Sequence, residues 1–190
     1  MSEPKLHYWD AYWDFRPAEC PCDAEFVEWL DETGIRDAAI FHFGTGGHHH
    51  VGIECATPER RNAVLGITAS PGEHESFIRL VMERPDVLRT YNVVFGDIYL
   101  LNAKLLPRFD VATLFHLCEF RGERGDDGSL TDLEVAELVT GQVGPGGHVL
   151  FYTGSFAFDP TRDVIARWER RCEVELVGRF KSLLVYAKRG

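Results

Sequence analysis

Two periods of apolar residues run along the chain. From residue 38 onwards, short apolar runs alternate with segments of helical spacing, the mark of a parallel sheet with crossover helices. Seven runs read as strands: Ala38 to Phe43, Ala63 to Ile67, Asn92 to Phe95, Asp110 to Phe115, His148 to Thr153, Val174 to Phe180 and Leu183 to Lys188. The first five are mostly apolar, as strands covered on both faces should be. Only Lys181-Ser182 separates the last two, far too little for a crossover, so they must form an antiparallel hairpin. The pattern predicts an α/β protein with a doubly wound, mostly parallel seven-stranded sheet ending in that hairpin.

Helix starts are punctuated. Ser70-Pro71-Gly72-Glu73 reads as a capping box, with Ser70 as N-cap and Glu73 reaching back, and its helix should bury Phe77, Ile78 and Val81. Thr131-Asp132-Leu133-Glu134 repeats the device, in a helix that runs to a stop at Gly144-Pro145-Gly146-Gly147. Asp159-Pro160 opens a third helix, turning Val164, Ile165 and Trp168 inward. Before residue 38 the spacing predicts an aromatic helix (His7, Tyr8, Trp9, Tyr12, Trp13, Phe15) and a second from Asp23 to Glu32, with Gly34 near its end. No repeat or linker divides residues 1–190, which read as one domain. Arg121 to Ser129 is a polar loop.

Charge and cysteine usage narrow the partners. Twenty Lys and Arg against 30 Asp and Glu leave a formal charge of −10, which repels polyanions and argues against nucleic acid. Five cysteines, an odd number and scattered, imply no disulfide framework and suit a reducing cytoplasm. Glu3, Lys5 and Asp10 interrupt the first ten residues where a signal peptide needs an apolar run, and no window suits a membrane span. A soluble cytoplasmic protein with no membrane partner is expected.

Several local motifs stand in a telling order. Ile40-Phe41-His42-Phe43-Gly44-Thr45-Gly46-Gly47 places a glycine-rich turn after the first strand. Val64 to Pro71 gives a second strand and helix start, Phe95-Gly96-Asp97-Ile98 a "GD" element after the third, and Leu138 to Leu150 a helix and "PGG" turn before the fifth. Over about residues 20 to 190 this series resembles the class I S-adenosylmethionine-dependent methyltransferases, with their Rossmann-like fold. The resemblance implies S-adenosylmethionine as cofactor and a small-molecule methyl acceptor. It assigns cofactor contacts to Phe43, Gly44, Thr45, Gly46, Thr68, Ala69, Asp97, Ile98 and His116, and makes the helices at about 5–34 a candidate lid. Glycines at such a turn let backbone approach a ligand closely.

The chain departs from the family at two acidic positions. His42 stands where a carboxylate precedes the first glycine, and Thr68 stands where an acid takes two ribose hydrogen bonds. Losing the latter forfeits about 1.5–3 kcal/mol. Two functions therefore remain open: a methyltransferase, or a catalytically inactive binding module with the same fold. No side chain is assigned to catalysis outright, although His116 could act as general base if the acceptor must lose a proton. His42, His48, His49, His50 and His116 should surround one crevice, but adjacent histidines point to different sides. Cys20-Pro21-Cys22 has one intervening residue instead of two and no second cysteine pair, so it reads as a turn. No metal site is expected.

Overall fold

The computed structural model describes residues 5–122 and 128–190, and among them all seven expected strands form one sheet. They are β1 (Ala39–Phe43), β2 (Ala63–Thr68), β3 (Tyr91–Phe95), β4 (Phe109–Thr113), β5 (Val143–Tyr152), β6 (Val174–Phe180) and β7 (Leu183–Lys188), in the order β3-β2-β1-β4-β5-β7-β6. β1 to β5 are parallel, and β7 is antiparallel to both β5 and β6. The hairpin turns at Lys181 and Ser182, with Lys181 at φ +52° and Phe180 facing Leu183.

Helices cover both faces: α1 (Cys22–Thr33), α2 (His50–Cys55) and α3 (Pro71–Glu83) on one, α4 (Asp132–Gln142) and α5 (Phe158–Trp168) on the other. Strand alternation divides the core between them. Ile40, Val111 and Leu150 pack with Phe26, Leu30 and Phe77. Their chain neighbours Phe41, Ala112 and Phe151 pack with Val135, Val139 and Trp168. Thr131 and Glu134 form a complete capping box at α4, and Gly34, at φ +70°, ends α1 as its spacing predicts.

Four local expectations need correction. Residues 5–16 carry no regular secondary structure, so the aromatic helix does not form. Its aromatic residues are weak helix formers. Their backbone instead bonds the edge of the sheet through Trp9 N–H to Ala69 O and Gly47 N–H to Trp13 O. At α3 only half the capping box exists: Ser70 Oγ accepts from Glu73 N–H, but the Glu73 carboxylate turns to Thr68. Ile78 is 48% exposed, because α3 buries a stripe centred on Phe77. Gly144 to Gly147 do not precede β5 but bulge within it, since pairing passes from Phe109–Val143 to Val111–His148. Residues 123–127 of the expected polar loop lie outside the described residues.

The strand order reverses between β1 and β4, leaving a crevice at the carboxyl ends of the strands where open α/β sheets place their ligands.

Candidate functional site

A cavity of about 340 Å³ lies in that crevice, bounded by the carboxyl ends of β1, β2 and β4, the start of α1 and the irregular segment 7–16. Eight of the nine residues expected to contact a cofactor line it: Phe43, Gly44, Gly46, Thr68, Ala69, Asp97, Ile98 and His116. Thr45 does not. Its side chain is buried against Gly66, where an added Cβ would come 2.5 Å from the Thr45 methyl.

The glycine turn is fitted closely to its neighbours. Gly44 (φ +84°) and Gly46 (φ +56°) hold a conformation that side chains disfavour. A Cβ on Gly46 would meet His48 Nε2 at 2.5 Å, and one on Gly44 would sit 3.3 Å from the His116 ring.

Carboxylates from helices lie beside both positions where β1 and β2 lack an acid. Thr68 Oγ1 donates to Glu73 Oε2 at 2.7 Å and accepts from Ser70 N–H at 3.1 Å, so the hydroxyl positions a carboxylate from the first turn of α3. Burial pushes the Glu73 carboxyl above its ordinary range, against hydrogen bonds from Thr68 and the Trp13 backbone amide. At β1, His42 is buried behind the cavity with Nδ1 2.8 Å from Thr113 Oγ1. Burial and the nearby histidines hold it down at about 3, so it is neutral. Asp23, from α1, lines the cavity with its carboxylate oxygens 3.7 Å from His42 Nε2 and 3.8 Å from His48 Nε2. Desolvation raises Asp23 to about 7.

Asp97 caps the short turn Ile98–Leu100, its carboxylate accepting from Tyr99 N–H at 3.0 Å and from His7 N–H at 3.2 Å. It therefore has the capping role of a turn aspartate and also a place on the cavity wall. Segment 7–16 spans the cavity from Asp97 to Gly47, with Trp9 edge-on to Phe120 at 5.2 Å and Ser70 Oγ donating to Ala11 O.

His116 lines the cavity and is held by hydrogen-bond partners on both ring nitrogens. Nδ1 lies 3.1 Å from Glu119 Oε1, which also accepts from Ser155 Oγ, and Nε2 lies 3.8 Å from Cys22 Sγ. Desolvation lowers its affinity for a proton, but the hydrogen bonds it donates to Cys20 and Glu119 outweigh it and raise His116 to about 10. Cys20 is drawn down to about 5 by the neighbouring Cys22 thiol, against desolvation and with help from His116, whereas Cys22 is pushed up. Cys20-Pro21-Cys22 is thus more than a turn: it starts α1 and sets both sulfurs on the cavity wall. All five cysteines are free thiols. The other histidines scatter. His48 lines the cavity, His49 is buried against Tyr91, and His50 stacks on Phe15.

Sequence reasoning missed Asp23, Glu73, Cys20, Cys22 and Glu119. The Ser70-to-Glu73 spacing held a signal, but capping and ligand binding place an acid at the same position.

No protein-family model matches the sequence, and no curated protein does so. Solved structures do. The CcbJ methyltransferase from Streptomyces caelestis is similar over 94% of this chain and 94% of its own, at 14% identity and a TM-score of 0.64. NodS, an N-methyltransferase from Bradyrhizobium japonicum WM9 solved with S-adenosyl-L-homocysteine, matches over 93% of this chain and 90% of its own, at 13% identity and a TM-score of 0.63. Coclaurine N-methyltransferase, solved with N-methylheliamine and S-adenosyl-L-homocysteine, matches over 68% of this chain and 35% of its own, at 14% identity and a TM-score of 0.50. With the strand order and terminal hairpin described above, these similarities show that the chain has the fold of the class I S-adenosylmethionine-dependent methyltransferases.

Proposed function

We propose that the protein is an S-adenosylmethionine-dependent methyltransferase acting on a small-molecule acceptor. The observation that carries this reading is the pair of substitute carboxylates, Glu73 beside Thr68 and Asp23 beside His42, on the wall of one cavity. They place acidic groups beside the ends of β2 and β1. In this reading Glu73 accepts from the ribose hydroxyls, Asp97 and Ile98 meet the adenine, and Gly44 and Gly46 admit the methionine end near Asp23.

When bound, S-adenosylmethionine supplies an electrophilic methyl group on a sulfonium. The protein's share of the chemistry is then mainly positioning and exclusion of water. Segment 7–16 acts as a lid, an extended strap in place of the expected helix. The enclosed volume and the charge of −10 favour a small acceptor over a nucleic acid. Two of the similar structures hold S-adenosyl-L-homocysteine, and one of them a small amine product, which agrees with this assignment. Among the described residues no helix is long and apolar enough to cross a membrane, and five unbridged thiols suit a reducing cytoplasm.

Calorimetric titration with S-adenosylmethionine tests the reading. Wild type should bind, and Glu73→Gln should bind about one to two decades more weakly, as expected for losing hydrogen bonds to a charged acceptor. If wild type releases no heat at millimolar ligand, the enzyme reading fails and the inactive binding module takes its place.

A further inference from the structure

Two thiols and an imidazole meet on the cavity wall, and nothing in the cofactor assignment uses the thiols. We propose that Cys20, Cys22 and His116 bind a zinc ion whose remaining coordination position opens into the cavity and receives the acceptor as a thiolate. The ion site stands on its own geometry; the acceptor class rests on the methyltransferase reading.

The three ligand atoms lie within 4.8 Å of one another. Cys20 Sγ and Cys22 Sγ are 3.5 Å apart, and Cys22 Sγ is 3.8 Å from His116 Nε2. Tetrahedral zinc with bonds of about 2.3 Å to sulfur and about 2.0–2.1 Å to nitrogen has edges of about 3.8 Å between sulfurs and about 3.6 Å from sulfur to nitrogen. Two of the three edges already lie within a few tenths of an ångström of that tetrahedron, and the third, between Cys20 and His116, is no longer than 4.8 Å.

The surroundings match as well. Glu119 takes Nδ1 of His116 and is itself held by Ser155, which leaves Nε2 turned toward the sulfurs. A carboxylate on the distal nitrogen is how metal-binding histidines are oriented. Asp23 Oδ1 comes 3.7 Å from Cys22 Sγ, but the carboxylate is spread between His42 and His48, so the protein provides three ligands instead of a closed set of four. Three ligands with an open position mark zinc sites that do chemistry, and two thiolates with an imidazole select a soft or borderline ion over magnesium or calcium.

Cys20, Cys22 and His116 all line the cavity, and the His116 ring lies beside Gly44, where the methionine end of the cofactor is assigned. Trp9, Phe43, Phe120 and Phe156 give the same cavity apolar walls against which the rest of an acceptor can pack. A thiol binding zinc gives up its proton to solvent. Its sulfur then forms a bond to the methyl carbon as the bond from that carbon to the sulfonium breaks, leaving a thioether and S-adenosyl-L-homocysteine. No oxidant or further reactant is needed.

The test uses untagged full-length protein, purified without oxygen and dialysed against excess zinc and then buffer. Elemental analysis should find about one zinc per chain, and cobalt in its place should give the intense absorption of a thiolate-bound tetrahedral ion. Cys20→Ser, at a partly buried position and with folding checked by urea denaturation, should lose the ion. Glu119→Gln should weaken it about 10- to 100-fold. Zinc below about a tenth of an equivalent in folded wild type overturns the site. So does stoichiometric zinc retained by Cys20→Ser and Cys22→Ser, which would point to the histidine run. Adding 2-mercaptoethanol to the cobalt form should shift its visible bands; unchanged bands overturn the acceptor class. Calorimetry with S-adenosylmethionine on the same samples separates the two readings, since zinc without cofactor binding sinks the methyltransferase and cofactor binding without zinc sinks this site.

Discussion

Glu73 answers to two demands that oppose each other. As the proposed ribose ligand it must be ionised, while burial disfavours the charge and raises its carboxyl above the ordinary value of 4.5. A raised folded value means the native state holds its proton more tightly than the unfolded chain, so this group's contribution to stability falls as pH rises from the unfolded value through the folded one. Cofactor affinity moves the other way. We expect affinity to weaken on acidification at a higher pH than an exposed glutamate would dictate, and Glu73→Gln to flatten that dependence while raising stability at neutral pH. Titrations across pH with parallel urea denaturation give both quantities. A variant that is less stable than wild type at pH 7 would show that Glu73 serves the fold instead of the ligand.

The elements show what could be read beforehand. Strand runs and the Lys181-Ser182 turn were legible because each depends on neighbours in sequence, and so was the capping box at Thr131 and Glu134. Segment 5–16 was not, because aromatic spacing that fits a helix also fits a strap whose backbone bonds reach Ala69, Asp97 and Gly47. The site was half legible for a related reason. Glycines and Asp97 sit in motifs, but the proposed replacement acids Glu73 and Asp23 come from different elements, and Cys22 meets a histidine 94 residues away. The strap makes a prediction of its own. Trp9→Ala removes the edge contact with Phe120, and an aromatic pair of about 0.5–1.5 kcal/mol translates to cofactor dissociation about two- to tenfold faster. Stopped-flow displacement measures the rate, and an unchanged rate would remove the lid role.

For the whole molecule, part of the core lies well away from the site. Trp168 is fully buried, donates from Nε1 to Thr140 Oγ1 at 2.9 Å, and packs edge-on to Phe151 and Tyr186 at 5.2 and 5.1 Å. It joins α5 to α4 and the sheet without touching the cavity. Trp168→Ala should cost about 3–5 kcal/mol in urea unfolding. Cofactor affinity, measured where the variant remains folded, should stay within about twofold of wild type. A loss under about 1 kcal/mol would mean that this core is not what holds the hairpin side together.

The bulge in β5 has a practical side. Val143 and His148 anchor it in register on β4, while Pro145 and Gly146 between them are exposed, at the opposite end of the sheet from the cavity. An added Cβ at Gly146 meets nothing within 4 Å. Lengthening a loop already pinned at both ends costs little, since closure entropy grows only slowly with length. A fluorophore or an epitope spliced between Pro145 and Gly146 would report on the protein from a point that neither cofactor nor acceptor has to pass.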